Sequence, residues 1–228
     1  MYKLLLLFLG FLTVAQSAAA QSQKPNVLFI CVDDLRPDLG CYGNEEVKSP
    51  NIDRLASTAT VFTKQFVGVP TCGASRACIL TGAYPRQRSL VANDAAQVNI
   101  SGRPKGVHPE TFIEQFKRNG YYTVGMGKIS HAADGYLYGY NAERSNQLEL
   151  PNSWDEVLFN PGKWKTGWNA FFGFADGSNR NAEGNRVKPY ERGDVNDEGY
   201  VDGLTSALGV DKIKALAMGQ KKRFFLAD

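Results

Sequence analysis

Histidine is nearly absent from these 228 residues, with only His108 and His131, and cysteine is scarce, with four at positions 31, 41, 72 and 78. Those cysteines have neither the paired spacing of a zinc site nor the density of a disulfide scaffold. A dominant charge is also lacking: 26 basic against 23 acidic residues give +3. That near-balance excludes binding driven by bulk charge to nucleic acid or to a membrane surface. A membrane-spanning run is missing as well. The apolar stretch from Leu4 to Val14 turns polar at Gln16 and Ser17, short of the roughly 20 apolar residues a spanning helix needs. Internal repeats and low-complexity tracts do not occur.

What the first residues do have is one lysine, that short apolar run and a small-residue end, Ala18-Ala19-Ala20. This is the pattern of a cleaved signal peptide over residues 1–20, and it predicts an exported protein, periplasmic or secreted, without a stable membrane anchor. The remainder, residues 21–228, is enough for one hydrophobic core and too short for two.

Apolar periodicity alternates along that remainder. Val27 to Val32 reads VLFICV, a continuous run of strand length that suits a strand buried on both faces and stops at Asp33-Asp34. Ser49-Pro50 opens a predicted helix carrying Ile52, Leu55, Ala56 and Ala59, with serine as N-cap and proline in the first turn. Thr111 to Asn119 is a predicted helix ended by Gly120, with a strand from Tyr121 to Val124. Leu204 to Met218 and Phe224-Phe225-Leu226 repeat the unit. Helices alternating with apolar strands predict an α/β fold, a mainly parallel sheet with helices on both faces. Between about Ala132 and Asp202 the chain is rich in Gly, Asn and aromatics with little periodicity, which predicts long loops. Trp154, Trp164 and Trp168 in that stretch suit either a sugar-facing surface or the anchoring of loops to the domain.

Two places carry chemistry. Asp33 and Asp34 fall at the carboxyl end of the first strand, where open α/β sheets bind ligands. Adjacent carboxylates there suit a hard cation such as Ca²⁺ or Mg²⁺, and equally suit capping of the next turn. Cys72 falls at or near the start of a helix in PTCGASRACILTG, residues 70–82. Backbone N–H groups and Arg76 one turn on favour an anion or a thiolate there, although an isolated cysteine also suits a buried structural thiol. Cys78 lies off that face and reads as core.

Cys72-Gly73-Ala74-Ser75-Arg76, followed by Leu80-Thr81-Gly82, resembles the signature C-x-[PA]-S-R of the formylglycine-dependent sulfatases. Asn26 to Asp34, Arg36-Pro37-Asp38-Leu39-Gly40-Cys41-Tyr42-Gly43, Ser49 to Ala56 and Gly125 to His131 resemble further blocks of that family. Their likeness is to its iduronate-2-sulfatase-like branch. The resemblance implies an alkaline-phosphatase-like fold for a partial sulfatase catalytic domain, with the loop-rich stretch at about 132–202 as an insert. It implies bound Ca²⁺ and a Cys72 oxidised to formylglycine by a separate maturation enzyme. By position it makes Asp33, Asp34 and Cys72 metal ligands, and Cys72 the nucleophile once hydrated to a diol. Arg76 holds that diol, Lys128 binds the sulfate oxygens and His131 hydrogen-bonds the diol. Ala74 stands where proline is commoner in the signature.

The same resemblance implies hydrolysis of sulfate esters, on a sulfated carbohydrate that contains uronate. Alternatives are a remnant that binds sulfated glycans without turnover, and a phosphate or phosphonate ester hydrolase of the same superfamily. The family's later metal ligands and leaving-group histidine have no counterpart before Asp228, and His108 is poorly placed to substitute. Residues 1–228 alone are therefore expected to be inactive.

Overall fold

The computed structural model describes residues 24–101, 109–138, 144–180, 188, 190–219 and 223–228. The predicted signal peptide and His108 lie outside the described residues. Among the described residues no helix is long and apolar enough to cross a membrane.

A four-stranded sheet organises the chain: β1 (Val27–Phe29), β2 (Tyr122–Met126), β5 (Glu156–Leu158) and β6 (Phe224–Ala227). Their order is β1-β6-β2-β5 and every pairing is parallel. Parallel neighbours need crossovers, and helices supply them. The main helices are α1 (Pro50–Ala56), α2 (Cys72–Thr81), α3 (Phe112–Arg118), α4 (Gly167–Phe171) and α5 (Val201–Gly219). A separate antiparallel pair, β3 (Tyr136–Tyr138) and β4 (Arg144–Leu148), stands beyond the sheet.

Strand β6 shows why two layers of helix are needed. Its four residues are all buried, and successive side chains of a strand point to opposite faces. Phe225 and Ala227 join a cluster with Ala74, Ala77 and Leu80 of α2 and Ile113 of α3. Phe224 and Leu226 join Val124, Met126 and Leu216 on the other face, with Leu208 and Ile213 of α5 packed against them. The expected α/β architecture with helices on both faces is thus present.

Helix α3 begins where local chemistry says it should. The Thr111 hydroxyl accepts from the Glu114 N–H at 3.1 Å, and the Glu114 carboxylate accepts from the Thr111 N–H at 2.9 Å, a reciprocal capping box. Gly120 then adopts φ +87°, which a side chain rarely tolerates, and turns the chain into β2.

Three expectations need correction. The first strand ends at Phe29 rather than Val32 and lies at the sheet edge, with Leu28 49% exposed. Beyond Phe29 the ladder continues only through Asp228 N–H to Phe29 O and Cys31 N–H to Asp228 O, at 3.0 and 2.7 Å. Ile30 and Val32 instead line a cleft. Ser49 is the N-cap residue of α1 with Pro50 in the first turn, as expected, but its hydroxyl caps no helical N–H. It donates to the Asp53 carboxylate and accepts from the Gly40 N–H, tying α1 to the preceding turn. The stretch 132–202 is not loop throughout, since it contains β3, β4, α4 and β5. Elements of three to five residues are too short to show a period. Trp154 and Trp164 are buried and anchor this region, while Trp168 is half-buried against Tyr138 and Phe172.

Phe225 is 1% exposed and stacks on Phe116 at 4.8 Å, with Phe112 edge-on at 5.7 Å. Phe225→Ala should therefore destabilise the fold by about 3–5 kcal/mol, and Phe225→Leu by much less. Denaturant unfolding monitored by circular dichroism measures both. Equal and small losses would show that this cluster is not the core.

Candidate active site

The carboxyl ends of β1 and β2 and the first turn of α2 meet at one point. Cys72 is the first residue of α2, as the sequence predicts. The helix can start there because Gly73 has no side chain: a Cβ at Gly73 would lie 2.0 Å from the Asn93 carbonyl oxygen. Asn93 also fixes this turn, its side-chain oxygen accepting from the Gly73 N–H at 3.1 Å.

The Cys72 thiol lies 3.4 Å from Asp33 Oδ1 and 3.4 Å from Arg76 Nε. Arg76 is 6% exposed, and every branch of its guanidinium is used. Nη2 donates to Asp33 Oδ1 at 2.9 Å, and Nη1 points at Cys31 Sγ at 3.3 Å. Nη1 also donates to the carbonyls of Lys128 and Ile129. The second Asp33 oxygen accepts from Lys128 Nζ at 2.9 Å. That ammonium sits 4.2 Å from the centre of the Phe171 ring of α4, a cation–π contact that covers one side of it.

One carboxylate is thus shared between two cations. Partial burial alone would raise the Asp33 pKa, but hydrogen bonds and charge from Lys128 and Arg76 outweigh it and hold the carboxyl below the usual aspartate value. Burial also works against the Arg76 charge, and the nearby thiols and Asp33 more than compensate, so its pKa rises. Because Asp33 offsets one of the two cations, positive charge remains beside the N-terminus of α2. That combination favours an anion.

Asp34 is exposed and has φ 51°, left-handed backbone that is uncommon outside glycine. This turn ends the path of β1 and separates the two carboxylates: Asp33 faces the cations, Asp34 faces solvent. Among the described residues no group of three or more His, Cys, Asp or Glu side chains converges as a metal cage would.

The segment after β2 carries Lys128 and His131. His131 is half-buried, and its Nδ1 is enclosed without a hydrogen-bond partner. Burial, followed by the charge of Lys128, pushes its pKa down, so the neutral ring is favoured. Sequence reading missed what supports this segment. Glu149, 3% exposed, accepts from the Ser130 hydroxyl and from the His131 and Ala132 N–H groups at 2.5, 2.9 and 2.6 Å. It lies in the stretch read as loop, and only a glutamate between two leucines, Leu148 and Leu150, hints at a buried acid. Cys31 and Asn93 were missed for the same reason: each works through one contact without a motif.

The structure therefore brings together Asp33, Cys72, Arg76 and Lys128 in direct contact, with His131 on the adjoining turn and Asp34 at the rim. A parallel α/β sheet with a cysteine at a helix N-terminus and clustered cations at its carboxyl edge makes a site that favours an anion. The family model described as Sulfatase matches residues 25–227, and the chain belongs to the sulfatase family.

Among curated proteins it is similar to iduronate 2-sulfatase of Mus musculus, 36% identical over 163 residues, 70% of this chain and 27% of that protein. It is also similar to steryl-sulfatase of Homo sapiens, 38% identical over 130 residues, 55% of this chain and 22% of that protein. The chain thus spans about a quarter of the length of these relatives. Its fold resembles the crystal structure of the phosphonate monoester hydrolase of Agrobacterium radiobacter, with TM-score 0.57 and 22% identity over 90% of this chain and 40% of that one.

The sign of the Asp33 shift fixes a pH effect. A carboxyl whose folded pKa is depressed contributes stability that is present above its unfolded value and is lost as pH falls through the folded value. Stability should drop below about pH 4 partly through Asp33, and Asp33→Asn should flatten that drop. Arg76→Lys should not replace Arg76, because one ammonium cannot reach the carboxylate, both thiols and two carbonyls at once. Urea unfolding from pH 7 to pH 2 checks both. An acid limb of unchanged steepness in Asp33→Asn would remove Asp33 as its source.

Proposed function

We propose that the protein hydrolyses sulfate esters, with Cys72, as formylglycine, at the nucleophile position. The observation that carries this reading is the contact set of Cys72. It stands at a helix N-terminus against Asp33 and Arg76, with Lys128 on the other Asp33 oxygen, in a chain of the sulfatase family. The thiol occupies the place that the formylglycine oxygens would take. Conversion by a separate maturation enzyme would supply a hydrated aldehyde oxygen as nucleophile toward sulfur.

The donor set fits Ca²⁺ in kind and only in part. Asp33 and Asp34 offer hard oxygens at a strand end, with the Cys72 side chain beside them, whereas Ca²⁺ takes six to eight oxygens. Asp33, Asp34 and Cys72 are the residues that would hold it, and the ion would supply a Lewis acid and a counter-charge. The chain's own contribution is electrostatic. Arg76 holds the nucleophile's side chain in line with Asp33 and offsets negative charge there. Lys128, oriented by Asp33 and shielded on one side by Phe171, is placed to bind sulfate oxygens, and such a fixed cation acts most strongly on charge that grows in the transition state. His131, held neutral by burial, can donate or accept one hydrogen bond toward the nucleophile.

The proposed substrate is a sulfated carbohydrate containing uronate, a reading supported by the similarity to an iduronate 2-sulfatase. Export through residues 1–20 to the periplasm or the exterior would bring it to such polymers. The alternative reading is binding of sulfated glycans without turnover.

In the full-length, matured protein, Cys72→Ala should abolish sulfate release from nitrophenyl sulfate and from sulfated uronate oligosaccharides. Lys128→Ala should lower kcat by on the order of 100-fold or more with a smaller change in KM. Asp33→Ala or Asp34→Ala should weaken calcium binding measured by calorimetry. Undiminished release in Cys72→Ala would reject the mechanism. An unmodified Cys72 thiol by peptide mass spectrometry, after expression with a competent maturation enzyme, would favour the binding reading. Faster turnover of phosphate or phosphonate esters than of sulfate esters would change the reaction class.

A further inference from the structure

The segment 128–132 has no regular hydrogen-bonded structure of its own, yet it carries two proposed site residues. Two of its carbonyls and two of its N–H groups are met from outside, from two sides. Arg76 takes the carbonyls of Lys128 and Ile129, while one Glu149 oxygen takes the N–H groups of His131 and Ala132 and the Ser130 hydroxyl. A cation binds two of the segment's acceptors and an anion binds three of its donors.

Burying a carboxylate is costly unless it is fully hydrogen-bonded, and Glu149 is 3% exposed. Three donors converging on a single oxygen compensate much of that cost, in the manner of a backbone nest around an anion. The carboxylate is itself held rigidly. The Glu149 N–H donates to the Gly135 carbonyl at 2.9 Å, and its carbonyl accepts from the Ser101 hydroxyl. It directly follows β4, which pairs with β3, and precedes Leu150, which is 1% exposed in the core. The anion is therefore mounted on the antiparallel pair, and the cation on α2.

We propose that Glu149 is a positioning residue for catalysis, acting through the 130–132 turn to fix Lys128 and His131 against Cys72 and Asp33. This rests on the sulfate-ester reading for its kinetic consequences but not for the clamp itself. A misplacement of about 1 Å in a catalytic group costs on the order of 100-fold in rate. A residue that only stabilises the fold would lower the amount of active protein and leave kcat per active site, and its coupling to Lys128, unchanged.

The test uses Glu149→Ala, Glu149→Gln, Glu149→Asp and Lys128→Ala in the full-length, matured protein, with kinetics normalised to titrated active sites. Glu149→Ala should lower kcat by on the order of 100-fold and change KM by less than about threefold. Glu149→Gln, whose amide oxygen can still accept from the turn, should recover at least about tenfold of that loss. The double variant with Lys128→Ala should lose less than the sum of the two single losses, since part of the Glu149→Ala loss is the misplaced Lys128 itself. Normal kcat in folded Glu149→Ala, no recovery in Glu149→Gln, or fully additive losses with Lys128→Ala would each overturn the proposal.

If Glu149→Ala does not fold, Glu149→Asp is read in its place. Withdrawing the carboxylate by one methylene should lower kcat by on the order of tenfold, and wild-type kcat would overturn the idea. Should the wild-type protein hydrolyse no sulfate ester, the function reading fails and the clamp is judged by amide hydrogen exchange. The His131 and Ala132 amides should then exchange at least about tenfold faster in Glu149→Ala, or in Glu149→Asp if the alanine variant does not fold. Unchanged protection would overturn the clamp independently of activity.

Discussion

A single buried guanidinium, that of Arg76, joins three separate parts of the chain. It reaches Cys31 and Asp33 beyond β1, Cys72 one turn back on its own helix, and the carbonyls of Lys128 and Ile129 after β2. Each of those segments lies at the end or the start of an element and has polar groups that the sheet and helices leave unmet. Burying an unpaired guanidinium would be prohibitive, so the contacts are mutually required. The fold can close at this edge only when the strand ends and the helix start are in register.

That register is set from below by the core. The alternation of Phe224 and Leu226 against Phe225 and Ala227 commits β6 to helices on both faces. A one-residue slip would exchange the two sets, putting Phe225 against α5 and Phe224 against α2 and α3. Because β6 lies between β1 and β2, it determines how the Asp33 end and the Lys128 end stand relative to each other. The aromatic cluster of Phe29, Phe112, Phe116 and Phe225 therefore contributes to site geometry as well as to stability. Charge placed at the carboxyl edge inherits its precision from packing underneath.

Much of this was legible in the sequence, and the reasons are specific. Helix α3 announced itself through its stop at Gly120, and α2 through the motif around Cys72, because small residues act locally; the capping box of Thr111 and Glu114 emerged only in the structure. The sheet was legible where a wholly apolar run follows a predicted helix, as at Phe224-Phe225-Leu226. Strand β5 and the β3–β4 pair were not, because three to five residues inside an aromatic-rich stretch carry no readable period. The residues at 33, 72, 76 and 128 were singled out from motif positions and are found in contact. Asp34, in left-handed backbone, is exposed beside Asp33 rather than packed against the cations.

Glu149 was illegible for a deeper reason. Its partners are two backbone N–H groups and one hydroxyl, and backbone donors leave no trace in sequence. What a motif records is the side chain that meets the ligand; what holds that side chain in place is often an acid or amide satisfied by main chain. The turn at 128–132 is bounded by opposite charges, Arg76 on the carbonyls of Lys128 and Ile129 and Glu149 on the amides of His131 and Ala132. A segment held that way has little freedom to relax when charge develops nearby. Pre-organised charge of this kind needs no reorganisation as a reaction proceeds. The site's rigidity thus comes from two buried ions that need not contact a substrate, separated by about seventy residues of chain and brought to the two sides of one turn by the sheet.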